Sequence, residues 1–313
     1  MEPLISICIP AFKNEALFKR LLDSIVIQKF KDFEVIITDD SPNKNLQLLC
    51  ENYKNIFQLS YHWNSPALGT PANWNFAISK AVGKWIKIMH TDDWFASENS
   101  LSVFAELTTH GFSFIFSGYC NVDLDNNIYQ KIKLSKVDLS LLKASPFNLF
   151  TKNAIGPPST TLIRRSDNKL LYDENIKWVV DFEYYIRYLS LQNSFTYIAK
   201  PIINIGIHQG QVTKTSFRIK EVEIPENIYL LNKIGTRHLK NIFVYDYYWR
   251  LLRNLRIKDI KDFSPFINLE MVPIQIKKMI KFQSSFSYII LRQGIFSKTL
   301  MSIFFLLNYF KKT

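Results

Sequence analysis

Apolar positions in the first two thirds of the chain fall into short runs, separated by stretches of helical spacing. Residues 4–10 (LISICIP), 33–38 (FEVIIT) and 84–89 (KWIKIM) are three such runs, the first stopped by proline. Runs of this length, rich in β-branched residues, read as buried strands. Between the first two, Leu17, Leu21, Leu22 and Ile25 recur at helical spacing and predict a helix over about 15–28. Further helices are expected up to about residue 53, over 72–82 and over 99–109, with a short strand near 58–62. Strands alternating with helices of this length predict βαβ units, hence an α/β fold with a mainly parallel sheet.

Beyond residue 110 the pattern loosens. Residues 112–116 and 118–120 predict a strand, and 121–150 an irregular stretch with a hairpin. Residues 153–159 form a loop whose course is fixed by Gly156, Pro157 and Pro158. A strand over 161–164 precedes a helix over 178–189, set by Phe182, Tyr185, Ile186 and Leu189. Residues 194–205 predict two strands parted at Pro201, and from about 221 onward the pattern is helical.

Composition narrows the class. At 313 residues and 47% hydrophobic content, the chain can bury a sizeable core. Cys8, Cys50 and Cys120 are odd in number and lack CxxC spacing, which suggests neither a disulfide framework nor a zinc site and fits a reducing, cytoplasmic setting. The N-terminal run has no basic segment or cleavage signature before it, so no signal peptide is expected. No uninterrupted apolar stretch reaches the length of a membrane span.

The net charge of +12 is unevenly placed. Residues 1–232 hold 24 Lys and Arg against 23 Asp and Glu, while residues 233–313 hold 15 against 4. Such asymmetry points the C-terminal quarter at an anionic surface, either membrane or nucleic acid. Phe282, Phe286, Ile289, Ile290, Phe296, Leu300, Phe304 and Leu307 lie at near-helical spacing among the cations, the pattern of an interfacial amphipathic helix. The competing reading is a C-terminal helix packed on the rest of the protein.

The strand over 84–89 delivers two adjacent carboxylates, Asp92 and Asp93, at its exit. In open α/β sheets ligands sit outside the carboxyl ends of the strands. Carboxylate oxygens there suit Mg2+ or Mn2+, which commonly join a protein to substrate phosphates. An acidic pair can also simply start a turn or cap a helix. The strand over 33–38 ends in a second pair, Asp39 and Asp40. No glycine-rich dinucleotide or triphosphate loop follows the first strand.

Four stretches together resemble the inverting nucleotide-sugar glycosyltransferases of family 2, which have the GT-A fold and build bacterial surface polysaccharides. They are residues 3–14 (PLISICIPAFKN), residues 33–41 (FEVIITDDS), Asn75 to Gly83 leading to Thr91-Asp92-Asp93, and Val180-Asp181-Phe182-Glu183 with Arg187. His208 with Gln211 and Thr213 is similar to the family's C-terminal histidine loop. The resemblance covers about residues 3–215. It departs from the pattern at Phe12, where tyrosine is usual, at Ser41-Pro42, where Gly-Ser is commoner, and at Val180, where glutamate is frequent.

The resemblance implies a GT-A catalytic domain over 1–220, a Rossmann-like, mainly parallel central sheet flanked by helices. Residues 1–95 would form its nucleotide-binding half and 96–220 its acceptor-binding half, followed by a helical, basic extension over 221–313. It implies that Phe12 and Asp40 hold the pyrimidine base, with Pro10, Asn14 and Asn75 also at the nucleotide-sugar. Asp92 would reach the ribose, and Asp93 with His208 would hold Mg2+ or Mn2+ on the diphosphate. Asp181 would be the base that deprotonates the acceptor hydroxyl. Trp94, Gly156, Pro157, Ser159 and Arg187 would line the acceptor side, Arg187 either orienting Asp181 or pairing with Glu183. The expected partners are a UDP- or dTDP-linked sugar, a saccharide or lipid-linked acceptor, and an anionic membrane surface at the inner face of the cell membrane, with no nucleic acid.

Two other classes remain open on the sequence. A nucleotidyltransferase acting on sugar phosphates shares the architecture but is disfavoured by the missing basic glycine loop. A nucleic-acid-binding protein would use the basic tail, which carries more Phe, Ile and Leu than a solvated arm needs.

Overall fold

The computed structural model describes residues 2–165, 171–192, 194–208 and 217–309. Gln211 and Thr213 lie outside the described residues. The chain divides into two compact units, Met1–Ser140 with Ala154–Gly210, and Leu141–Asn153 with Gln211–Thr313.

In the first unit the elements run β1 (Ile5–Ala11), α1 (Glu15–Val26), β2 (Phe33–Asp39), α2 (Asn45–Cys50), β3 (Leu59–Trp63), α3 (Ala72–Lys80), β4 (Trp85–Ile88), β5 (Trp94–Phe95), α4 (Ser100–Leu107), β6 (Phe114–Asp123) and β7 (Ile128–Ile132). After α5 (Lys136–Ala144) come β8 (Thr161–Arg164), α6 (Val180–Leu191) and β9 (Phe195–Ile207). The nine strands form one sheet in the order β3-β2-β1-β4-β8-β6-β9-β5, with β7 on β6. The pairs β1–β2, β1–β4, β2–β3 and β6–β9 are parallel, and β4–β8 and β6–β8 are antiparallel.

Continuous apolar strands can persist only where both sheet faces are covered. Ile5, Ile7, Cys8 and Ile9 of β1 are fully buried, and Phe18, Leu21, Leu22 and Ile25 of α1 share one core cluster with Ile5, Ile7 and Ile9. The chain runs outward from β1 to β2 and β3, then returns to set β4 on the other side of β1. That reversal makes a switch point between β1 and β4, where a crevice opens at the carboxyl ends.

The predicted strand pair parted at Pro201 is one strand of 13 residues, β9. Pro201 lies opposite Gly118 where the β6–β9 register shifts, so a residue without an N–H sits at the irregularity instead of breaking the ladder. The hairpin expected within 121–150 is β6–β7.

The second unit is helical, and it claims residues 141–153, which the sequence reading kept with the sheet. Its main helices are α7 (Lys220–Ile234), α8 (Ile242–Asn254), α9 (Ile274–Gln283), α10 (Tyr288–Arg292) and α11 (Gly294–Tyr309). Phe150 meets the Tyr247 ring edge-on at 5.0 Å, and Arg250 donates to the Phe150 carbonyl at 3.0 Å, which ties the short segment to α8. Trp249 is 1% exposed and donates its indole N–H to Ser297 Oγ at 3.0 Å. The single apolar stripe expected from Phe282 to Leu307 is split instead: Phe282 stacks flat on Phe304 at 4.1 Å, so part of it packs inward.

Candidate active site

The strand β4 is short and wholly buried, and it hands over to a turn in which the Asp93 N–H donates to the His90 carbonyl at 3.0 Å. The turn separates the roles of the two carboxylates. Asp93 is 2% exposed, accepts from the Gly206 N–H at 3.3 Å and is hydrogen-bonded to the Ser159 hydroxyl. Asp92 stays partly exposed, with its Oδ2 3.3 Å from His208 Nε2. Burial, reinforced by the Asp92 charge, pushes the Asp93 carboxyl well above the usual range. Asp93, expected to carry an ion, has its oxygens on Gly206 and Ser159, while Asp92 and His208 form the more exposed pair.

Three further residues hold this turn. The Arg20 guanidinium lies 3.7 Å over the Trp94 ring, and its Nη2 donates to the Asp92 carbonyl at 3.0 Å. Trp94, expected on the acceptor side, thus packs against Arg20. Gly206 of β9 passes so close that a Cβ would stand 2.3 Å from the Asp92 carbonyl oxygen. Beneath the turn Lys87 is fully buried, donates to the Ser159 carbonyl and faces the Phe104 ring at 5.0 Å. Burial pulls its ammonium down to about 7, with Asp93 opposing. Ser159 completes the brace, accepting from the His90 N–H at 3.0 Å through Oγ. Expected on the acceptor side, Ser159 is fully buried in this structure. Burial also lowers the His90 pKa, which keeps a neutral ring against Trp74 at 4.7 Å.

At the ends of β1 and β2 the picture is mixed. Pro10 pairs with Thr38 one step before the end of the ladder, and Phe12, just past it, is 54% exposed. Lys13 and Asn14 both take left-handed backbone angles, φ 54° and 51°, to turn into α1. Asn14 caps that helix, its side-chain oxygen accepting from the Leu17 N–H at 3.1 Å. Asp40, expected at a base N–H, has its two oxygens accepting from Asn64 Nδ2, the Leu68 N–H and the Gly69 N–H at 2.8, 3.0 and 2.8 Å, which holds the 64–69 loop. Asn75 is also spent: it donates to the Tyr172 carbonyl and Glu174 Oε1, both at 2.9 Å, and accepts from the Tyr172 N–H at 2.8 Å. These bonds pin the 172–174 segment.

Asp181 stands in the first turn of α6, where the helix dipole favours a carboxylate, and accepts from the Phe182 N–H at 2.8 Å. Its charge reaches three tyrosine hydroxyls. Burial raises the pKa of Tyr119, Tyr172 and Tyr185 most, and the Asp181 charge adds to it, behind that of Tyr184 in the case of Tyr172. The Tyr172 hydroxyl is buried and has no hydrogen-bond partner among the described residues. Gly156, at φ 93°, lies against the Tyr119 ring, where a Cβ would stand 2.7 Å from Cε1, and its carbonyl accepts from the Tyr185 hydroxyl at 3.1 Å. Pro157 follows it, half-buried, before the short 3-10 turn into β8. Arg187 pairs with Glu183, one of the two roles expected of it, through bonds of 2.7 and 3.1 Å, and donates to the Leu171 carbonyl at 2.7 Å.

These groups share one rim. Phe12, Asp40, Asp92 and His208 follow the carboxyl ends of β1, β2, β4 and β9, which all run in one direction. The strand β8 runs the other way, so its entrance, with Gly156 and Pro157, meets the same edge. A carboxylate and an imidazole 3.3 Å apart suit a divalent cation that takes its other ligands from phosphate and water. Among the described residues no group of three His, Cys, Asp or Glu side chains is gathered, so substrate oxygens would have to complete that shell. Arg20 and Lys87 were not found from sequence, since one sits on a helix with no motif and the other looks like an interruption of an apolar run.

Comparison with known proteins agrees with this geometry. The sequence model of Glycosyl transferase family 2 matches residues 6–171. A GalNAc(5)-diNAcBac-PP-undecaprenol beta-1,3-glucosyltransferase from Campylobacter jejuni is 25% identical over 166 residues, 49% of this chain and 53% of that enzyme, so the match spans about half its length. In structure, S. aureus TarS 1-349 in complex with UDP-GlcNAc superposes with a TM-score of 0.65 at 16% identity, covering 100% of this chain and 93% of that one. The mannosyltransferase PcManGT from Pyrobaculum calidifontis, in complex with GDP-Man and Mn2+, gives a TM-score of 0.54 at 11% identity, covering 99% and 88%.

Proposed function

The chain belongs to glycosyl transferase family 2, with the GT-A fold, and on that premise we propose that it moves a hexose-type sugar from a UDP- or dTDP-linked donor onto a saccharide or lipid-linked oligosaccharide, with inversion, in polysaccharide synthesis. The observation that carries the reading is the shared rim, where an exposed aromatic ring, the Asp92–His208 pair and the entrance of β8 come together.

In this reading the Phe12 face stacks on the pyrimidine. Asp92 and His208 would hold Mg2+ or Mn2+, which would neutralise charge on the diphosphate. Asp92 is proposed here in place of Asp93 because it is the less buried of the two. Asp181 takes the proton of the acceptor hydroxyl while that oxygen bonds to the anomeric carbon and the bond to the diphosphate breaks. The nucleoside diphosphate then leaves, and no covalent enzyme intermediate is needed. The hydroxyls of Tyr119, Tyr172 and Tyr185, which burial keeps weak acids, stay protonated within range of the Asp181 charge.

A lipid-linked acceptor would be met at the cytoplasmic face of the cell membrane. The C. jejuni relative, whose name carries a PP-undecaprenol acceptor, supports that choice. The test is a screen of UDP- and dTDP-sugars with Mn2+ by thermal shift, followed by product analysis on saccharide and lipid-linked acceptors. A donor that raises the melting point and yields a new β- or α-linked product of inverted configuration is expected. Release of free sugar phosphate, or no stabilisation by any donor, would overturn the reading.

A further inference from the structure

We infer that the outward face of α10 and α11 docks on an anionic lipid surface. This extends the membrane location proposed above to a specific face, and depends on none of the sugar-transfer chemistry. On α11, Ser297 and Met301 are each 1% exposed and turn inward, whereas Ile295, Phe296, Ile303, Leu306 and Leu307 are 84, 59, 48, 51 and 56% exposed. At 3.6 residues per turn those five fall within an arc of about 120°, broken only by Thr299. Ile289 and Ile290 of α10 add two more exposed apolar side chains. A contiguous outward apolar ridge of this kind marks an interaction site.

Charge selects the occupant. After Glu270 the sequence holds Lys277, Lys278, Lys281, Arg292, Lys298, Lys311 and Lys312 and no acidic residue. A second copy would bring the same excess of cations, with no acidic residue after Glu270 to offset it. An anionic leaflet offers both the apolar layer that the ridge needs and the opposite charge. At 16 residues α11 is about 24 Å long, shorter than the roughly 30 Å hydrocarbon core, so it lies along the surface rather than across it. No described helix is long and apolar enough to cross a membrane.

The test is flotation of the full chain with phosphatidylcholine vesicles, with and without phosphatidylglycerol. Binding is expected only with phosphatidylglycerol, weakening as salt rises. The variant I295S/F296S/L306S should keep its far-UV spectrum and elution volume and lose at least about tenfold in vesicle affinity, in keeping with the loss of three buried apolar side chains. Failure of the full chain to float, or a variant that floats as well as the parent, would overturn the inference. So would light scattering that shows a dimer which the same variant dissociates. Because flotation needs no nucleotide, a protein that floats but binds no donor would sink the sugar-transfer reading and leave this one intact.

Discussion

His208 Nε2 lies 3.3 Å from Asp92 Oδ2, joining the end of β9 to the turn after β4 across 116 residues of sequence. Asp93, its neighbour, is withdrawn into the protein. The two carboxylates should therefore respond differently to mutation. Asp92→Ala or His208→Ala is expected to reduce Mn2+-supported binding of nucleoside diphosphate by about tenfold or more while the fold persists, as for loss of a metal contact. Asp93→Ala should instead lower the melting temperature, because it removes the acceptor for Gly206 and Ser159. Calorimetry with Mn2+ and with EDTA, beside thermal melts, separates the two. Equal nucleotide affinity of Asp92→Ala and parent in Mn2+ would return the ion to another site.

Asp181 carries a different kind of prediction, because it is assigned to the proton and not to the donor. Asp181→Asn preserves the cap on the Phe182 N–H through its amide oxygen and removes the base. Turnover should fall on the order of 10²–10⁴, with donor affinity unchanged. A variant that turns over within about threefold of the parent would remove Asp181 from that role; the threshold is set well inside the lower end of that range.

Much of this arrangement was legible in the chain. Each of β1, β2 and β4 is an apolar run long enough to declare itself, and Asp92 and Asp181 follow turns that local residues set. What stayed hidden depends on partners distant in sequence. Nothing near Asp93 tells that Gly206 and Ser159 will enclose it. Nor does anything near Asp40 and Asn75 tell that loops 64–69 and 172–174 will fold onto them. Residues 141–153 joined the helical unit through Phe150 and Arg250, a pairing 100 residues apart that no periodicity encodes.

Lys87 gives a pH-dependent prediction. Its ammonium is depressed from the ordinary 10.5 to about 7 by burial, so between those values the unfolded chain binds the extra proton and the folded chain does not. Stability then rises with pH across that window and is lost as pH falls through about 7. The parent should show this upward slope between about pH 7 and 10 in chemical denaturation, and Lys87→Met should lack it, whatever its stability at pH 7. Identical slopes for the two proteins would mean that Lys87 stays charged in the fold.

The last prediction concerns Gly206, which does its work by lacking a side chain. Its backbone is not left-handed, so alanine would suit its angles, yet the added Cβ would meet the Asp92 carbonyl oxygen at 2.3 Å and Arg20 Nη2 at 3.3 Å. The carbonyl is backbone and cannot swing away, so β9 or the turn must move. Either movement alters the Asp92–His208 separation, since Asp92 sits on one side of the contact and His208 two residues beyond Gly206 on the other. Gly206→Ala is therefore expected to weaken Mn2+-supported nucleotide binding by about tenfold, comparable to losing a ligand's support. Its destabilisation should be modest, on the order of 1–3 kcal/mol for an overpacked site. Gly111→Ala is the control for backbone strain alone, since its φ of 77° disfavours a side chain while the space around it is open. It should destabilise without touching nucleotide affinity. If Gly206→Ala binds nucleotide as the parent does in Mn2+, the contact between β9 and the Asp92 turn does not set the site.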